Sequence, residues 1–347
     1  PTIYINRGTL RRDLGDFPQA LADFEKAEAL GGKRPSLYLN RAQLYVHQRD
    51  YPRALADYDE ALKLEPDNVA TLLRRGAARQ SAGQTEKALA DYARASELDP
   101  GNVEIMQSHA TALRKARQYD RAFAVLERAL KTEQKVGASY GIRARVYADM
   151  NDRKQALADI QRALKFEWKA DFIRLRGALR LQDGNTAGAL NDAASLLKID
   201  SDSTDALAIR GAAYAKNKDY AKAEADLDQA IAGDPDNVMA ITARARMRMV
   251  RGDKDRALPD LDKAIALGAN DIDLWQSRGE IHAGRKDYAK AVEDYSQVLR
   301  RNANATSLYY QRAQLYRAQG DNAHALADFA GMPTVWVWVS GGPDWPA

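Results

Sequence analysis

The sequence predicts an all-α chain built as a tandem array of helical hairpins, and three observations carry that prediction. First, an arginine followed by a small residue recurs at Arg7-Gly8, Arg41-Ala42, Arg75-Gly76, Arg143-Ala144, Arg176-Gly177, Arg210-Gly211, Arg244-Ala245, Arg278-Gly279 and Arg312-Ala313, with His109-Ala110 in the one gap. The step is 34 residues throughout, except for 33 between Arg143 and Arg176. A fixed period of this size is the signature of a repeat architecture. Second, an alanine stands twelve residues beyond each small residue: Ala20, Ala54, Ala88, Ala122, Ala156, Ala189, Ala223, Ala257, Ala291 and Ala325. Third, each unit holds two stretches of helical apolar periodicity joined by a polar break.

Within a unit the first stretch reads like Ser36-Leu37-Tyr38-Leu39-Asn40-Arg41-Ala42-Gln43-Leu44-Tyr45, with apolar or small residues at helical spacing. The break follows as Gln48-Arg49-Asp50, Arg251-Gly252-Asp253 or Gln319-Gly320-Asp321, and its aspartate is placed to cap the second helix. That helix reads Tyr51-Pro52-Arg53-Ala54-Leu55-Ala56-Asp57-Tyr58-Asp59-Glu60-Ala61-Leu62, with proline in the first turn, where a missing N–H costs little. Glu65-Pro66-Asp67-Asn68, Asp99-Pro100-Gly101-Asn102 and Asp234-Pro235-Asp236-Asn237 close one unit and can cap the next. Units are expected to start near residues 1, 35, 69, 103, 137, 170, 204, 238, 272 and 306, so the array covers 1–332. The chain opens straight into a first helix, and further sequence is expected upstream of Pro1. Residues 333–347 break the pattern: Thr334-Val335-Trp336-Val337-Trp338-Val339 alternates β-branched and aromatic residues like a strand.

Gly or Ala at the eighth place, Ala at the twentieth, Tyr or Phe at the twenty-fourth and Pro near the thirty-second resemble the tetratricopeptide repeat, over nearly the whole chain. The family's aromatic at the fourth place stands as Tyr4, Tyr38 and Tyr140 but is Leu72 in the third repeat and Met106 in the fourth. Repeats four to six are the least typical, with Val125, Trp168, Leu196 and the one-residue deletion, and any bend is expected there. The resemblance implies a right-handed superhelical solenoid of helix-turn-helix repeats. It also implies a non-catalytic protein–protein interaction scaffold that holds a peptide or a partner helix in a concave groove lined by the first helices. The alternative is a regulatory or substrate-recruiting region of a larger enzyme or assembly whose catalytic domain lies outside this chain.

Composition narrows the chemistry. Among 347 residues there is no cysteine, which excludes disulfides, thiol nucleophiles and Cys-ligated metal. A length of 347 residues suggests two or so domains, but each repeat of a solenoid packs on its neighbours, so here length means copy number. With 52 Lys+Arg against 48 Asp+Glu, bulk attraction to nucleic acid is not expected. No apolar run reaches the ~20 residues that cross a bilayer. A cytoplasmic protein is expected, with the bacterial periplasm left open.

Much of the charge recurs in pairs. Sixteen residues after each repeated arginine stands Asp23, Asp57, Asp91, Asp159, Asp192, Asp226, Asp260, Asp294 or Asp328, and in repeat four His109 and Val125 replace both partners together. Structural ion pairs between the two helices are therefore expected, as Arg7 with Asp23, Arg41 with Asp57 and Arg210 with Asp226, since a guanidinium can grip a carboxylate bidentately. Pairing within a repeat and pairing with the adjacent repeat both fit the spacing.

Carried onto this sequence, the family's ligand-facing places give Asn6, Asn40 and Arg74 in the early repeats and Gln107, Thr111, Arg114, Lys115, Arg145 and Arg174 in the middle ones. The later repeats give Asp205, Lys216, Arg246, Gln276 and Glu280. Residues 101–200 hold 18 Lys+Arg and 12 Asp+Glu, a difference of +6. A basic inner surface over repeats four to six would favour an acidic protein or peptide partner. The family subtype that clasps chaperone C-termini is not matched: its five places hold Ile5, Thr9, Asn40, Ala70 and Arg74, and both lysines are absent.

No catalytic residue, metal ligand or cofactor is expected. His47, His109, His282 and His324 fall in different repeats without metal-ligand spacing, and Gly31-Gly32-Lys33-Arg34 lacks the full phosphate-loop pattern. Nucleic acid and membrane insertion are not expected as partners. The Trp-rich tail has three readings: an end foreign to the native chain, a strap over the last apolar face, or a ligand for the groove of another copy, that is, self-association.

Overall fold

Residues 1–330 are described by a computed structural model, and the strand-like tail expected at 333–347 lies outside them. Twenty α-helices and short turns make up the described chain. In the first half they are α1 (Thr2–Asp13), α2 (Phe17–Ala29), α3 (Pro35–His47), α4 (Tyr51–Leu64), α5 (Val69–Ser81), α6 (Thr85–Leu98), α7 (Val103–Lys115), α8 (Tyr119–Thr132), α9 (Gly137–Asp149) and α10 (Arg153–Phe166). In the second half they are α11 (Ala170–Gln182), α12 (Thr186–Leu197), α13 (Thr204–Lys216), α14 (Tyr220–Gly233), α15 (Val238–Val250), α16 (Lys254–Ala266), α17 (Ile272–Gly284), α18 (Tyr288–Arg301), α19 (Thr306–Ala318) and α20 (Asn322–Ala330). Odd-numbered helices open each repeat and even-numbered helices close it. Two compact units result, the first Pro1–Phe172 and the second from Ile173 onward through the described residues, and the division falls inside α11, in the least typical stretch of sequence.

Each hairpin is set by local chemistry. The turn between the two helices of a repeat holds one residue with positive φ: Gly15, Arg49, Gly83, Arg117, Asn151, Gly184, Lys218, Gly252, Lys286 or Gly320. This left-handed residue lets the chain reverse while its amides close the helix end. Gly15 N–H donates to Arg12 O at 3.0 Å and Asp16 N–H to Arg11 O at 2.8 Å, the six-to-one pattern of a helix stop. Glycine takes this backbone freely, whereas each of the five larger residues costs about 1 kcal/mol. The next residue then caps the second helix. Oδ1 of Asp16, Asp50, Asp152, Asp253 and Asp321 accepts the backbone N–H three residues on, at 3.1–3.3 Å. Asn68, Asn102 and Asn237 do the same for α5, α7 and α15.

The ten recurring alanines are all at most 2% exposed and lie where the two helices of a repeat touch. Contact is tight enough that a methyl group on Gly211 would stand 2.7 Å from Leu227 Cγ, and one on Gly279 would stand 2.6 Å from Tyr295 Cε1. Phe24, Tyr58, Tyr92, Leu126, Ile160, Leu227, Leu261 and Tyr295, at the twenty-fourth place, fill the interior behind them.

The arginine at the seventh place ties each hairpin. In nine repeats its Nε and Nη2 donate to both carboxylate oxygens of the aspartate sixteen residues on, at 2.6–3.2 Å, and the partner lies in the same repeat. The remaining Nη1 reaches back to the preceding repeat: Arg41 to Glu28, Arg75 to Asp59, Arg244 to Asp228, Arg278 to Asp262 and Arg312 to Ser296. Of the two pairings that the spacing allows, the nine aspartates make the one within the repeat, and the backward contacts use other acceptors. An aromatic ring at the fourth place carries its carbon face: Tyr4, Tyr38, Tyr140, Trp275 and Tyr309 lie 5.2–5.7 Å from the respective arginines. Asp23, Asp91, Asp192 and Asp260 accept a further bond from Arg11, Arg79, Arg180 and Arg248, one turn after the first arginine. Arginines spaced four apart on a first helix were the sequence signal for these.

Candidate functional site

Because the ion pairs and the buried alanines engage one side of each first helix, its other side is left to face outward beside the first helices of neighbouring repeats. Each unit has hollows on its own such surface. In the first unit, one of about 350 Å³ is lined by Gln43, Val46 and His47 of α3, Tyr58 of α4, and Arg74, Ala77, Ala78 and Ser81 of α5. A second, of about 440 Å³, is lined by Gln80 of α5, Tyr92 of α6, Glu104, Gln107, Ser108 and Thr111 of α7, and Ile142 of α9. In the second unit, one of about 320 Å³ lies among α11, α13 and α15. Burial pushes the Tyr58 and Tyr92 phenols above their ordinary pKa, so both stay neutral at physiological pH.

Of the residues singled out in the sequence, Arg74 lines the first hollow, Gln107 and Thr111 the second, and Lys216 and Arg246 the third. Lys115 is exposed at the end of α7. Several others are engaged by protein groups. Asn40 Oδ1 accepts from Arg12 Nη1 at 2.9 Å, and Gln43 Oε1 accepts from the same nitrogen at 2.6 Å. Gln107 Nε2 donates to Ser139 Oγ at 2.9 Å, and Gln276 Nε2 to Glu280 Oε1 at 3.0 Å.

The arginines differ from the basic surface that composition suggested. Arg114 donates to Asp149 at 2.7 Å, Arg145 to Asp171 at 3.4 Å and Arg174 to Asp205 at 2.6 Å. Arg246 grips Asp273 with two bonds at 2.6 and 2.8 Å and also pairs with Asp271 at 3.2 Å, and these bonds raise its pKa further. Asp149, Asp171, Asp205 and Asp273 belong to the following repeat, so the charge is spent on ties between repeats. A count of charges over residues 101–200 could not reveal this, because the acceptors lie 26–35 residues away in the chain. Arg12 and the two tyrosines were missed in the sequence. Arg12 occupies one of the ligand-facing places, and Tyr58 and Tyr92 enter the sequence reading only as the aromatic of the twenty-fourth place.

The histidines serve packing. His47 stacks on Phe17 with ring centroids 5.9 Å apart, and His324 stacks on Tyr316 at 5.1 Å. His109 and His282 are buried. Among the described residues no group of three or more His, Asp and Glu is placed to hold a metal ion, and no helix is long and apolar enough to cross a membrane.

The sequence profile of the tetratricopeptide repeat matches residues 5–69, 39–103, 174–238 and 242–306, and a second profile of the same repeat matches 79–146. The chain belongs to the tetratricopeptide repeat family. Its all-α architecture of helical hairpins is the fold of that family. Among solved structures it is similar to a tetratricopeptide repeat protein from Parabacteroides merdae ATCC 43184, at 18% identity over 74% of this chain and 98% of the other, with a TM-score of 0.57. It is also similar to the human IFIT1 dimer with m7Gppp-AAAA, at 17% identity over 94% and 88% of the two chains, with a TM-score of 0.56. A third is the C-terminal part of a TPR repeat-containing protein from Cytophaga hutchinsonii, at 18% identity over 69% and 98%, with a TM-score of 0.52. At such identities the likeness is one of fold. No curated protein matches the chain. Tetratricopeptide repeats make this a protein-interaction scaffold.

Proposed function

We propose that this tetratricopeptide array binds an extended peptide segment of a partner protein along its first helices, without catalysing a reaction on it. The observation that carries this reading is the presence in each unit of hollows on the first helices, walled by Val46, Ala77, Ala78 and Tyr58 in the first unit and by Leu181 and Met239 in the second, with rims of polar side chains. Sites of this kind gain affinity from apolar burial and take orientation from a few polar groups. The helices around them are fixed by bidentate ion pairs, so little ordering cost falls on the protein when a ligand arrives. Because Arg114, Arg145, Arg174 and Arg246 already hold carboxylates, apolar contact is the main source of affinity, and an acidic partner has fewer free cations than composition suggests. A role as the recruiting region of a larger assembly would use the same surface.

The test is a random octapeptide library panned against the full chain, followed by hydrogen exchange with a selected peptide bound. Added protection is expected in the first helices, such as α3, α5 and α15, at the residues lining the hollows. Protection confined to the second helices, or a library that yields no binder, overturns the reading.

A further inference from the structure

In the second unit one hollow has a chemistry that its counterparts lack. The ninth place of the repeat carries Thr9, Gln43, Ala77, Thr111, Arg145, Arg246, Glu280 and Gln314 elsewhere, and only at 178 and 212 is it alanine in two successive repeats. These two alanines, one on α11 and one on α13, leave a cavity of about 320 Å³ walled by Leu181, Met239 and Ala243. That volume holds a large side chain, and methionine in the wall can adjust its shape to the occupant. Two cations stand on the rim and they are not equivalent. Arg246 is held by Asp273 and Asp271, whereas Lys216, exposed at the end of α13, has no ion-pair partner among the described residues.

We propose that this cavity is a specificity pocket for a peptide bearing a bulky apolar side chain, Leu, Met or Phe, next to an acidic residue. The apolar group fills the space over Ala178 and Ala212, and the neighbouring carboxylate meets the uncompensated ammonium of Lys216. Alanine at two successive ninth places creates the room, and the lysine selects the charge beside it. Acidic recognition thereby falls at residue 216 of repeat seven, and not on the paired arginines of repeats four to six. The proposal rests on the groove reading above and adds to it the sequence class of the ligand.

Two variants of the full chain test it, each panned beside the unaltered protein with the same random octapeptide library. Ala212→Gln installs a side chain that the array itself carries at this place in two other repeats, so the hairpin tolerates it. Lys216→Glu changes an exposed residue. The unaltered chain is expected to enrich peptides with Leu, Met or Phe beside Asp or Glu. Ala212→Gln should weaken those peptides by tenfold or more, and Lys216→Glu should shift the neighbouring preference to Lys or Arg. Melting curves identify any variant that has lost its fold, and Ala212→Leu then replaces Ala212→Gln as the filling change. If peptides are enriched but neither variant alters the apolar or charge preference, the pocket assignment is wrong while the groove reading stands. If the unaltered chain enriches nothing, the groove reading falls and this one with it.

Discussion

His109 stands where nine repeats carry the hairpin arginine, and its partner position holds Val125 in place of aspartate. The side chain is 6% exposed, and neither ring nitrogen has a hydrogen-bond partner. Burial, with a smaller contribution from the nearby Arg121 and Arg128 cations, lowers its pKa from 6.5 to about 4. The unfolded chain therefore takes up a proton that the folded chain refuses. Stability from this site is complete above pH 6.5 and is lost as pH falls from 6.5 towards 4, by about 2 kcal/mol at pH 5. Urea midpoints at pH 7.5 and pH 5.0 check this: the unaltered chain should lose more between the two than His109→Leu does. Equal losses would show that His109 is not the group responsible.

At the scale of the helix pair, the hairpin is held by a buried carboxylate and the junction to the preceding repeat by an exposed one. Asp226, 8% exposed, takes two bonds from Arg210 within its repeat. Asp228, whose side chain is half-exposed, accepts the outer nitrogen of Arg244 from the next repeat. Arg210 keeps about a third of its side chain in solvent and loses both bonds of a largely buried carboxylate, so Asp226→Ala should cost about 2 kcal/mol. Solvent screens the exposed contact, and Asp228→Ala should cost about 1 kcal/mol or less. Thermal melts of the two variants separate these effects, and equal shifts would contradict the distinction. The helix pairs themselves were legible in the sequence, since caps, prolines and the alanine period all act within one hairpin. What the arginines at 114, 145, 174 and 246 do was not legible, because their acceptors depend on how one repeat stacks on the next.

Over the whole molecule, stability is close to a sum of repeats and their junctions. The first unit has its own apolar clusters, one around Phe24, Leu37, Leu44 and Tyr58 and another around Tyr92, Leu113, Leu126 and Val146. A fragment of residues 1–182, which keeps Phe172 against Gly141, should fold alone. Far-UV circular dichroism per residue should match the full chain and melting should remain cooperative; a non-cooperative melt would refute it. Fold class was readable from period alone because every copy restates the same pattern. The division at Phe172 and Ile173 was signalled only by the loss of that pattern around the one-residue deletion.

The arginine that faces both ways also bears on how such a chain can change in length. Asp228 meets Arg244 and Asp262 meets Arg278, each at a separation of 16 residues across a junction. Excising residues 229–262, one full period, would bring Asp228 to the same separation from Arg278 with the contact chemistry intact. Duplicating that stretch would do likewise. Gain or loss of a whole period in the gene thus leaves matched seams, while any other length shift mismatches every seam it touches. At seams coupled in this way the number of copies is free to drift and the size of each copy is held.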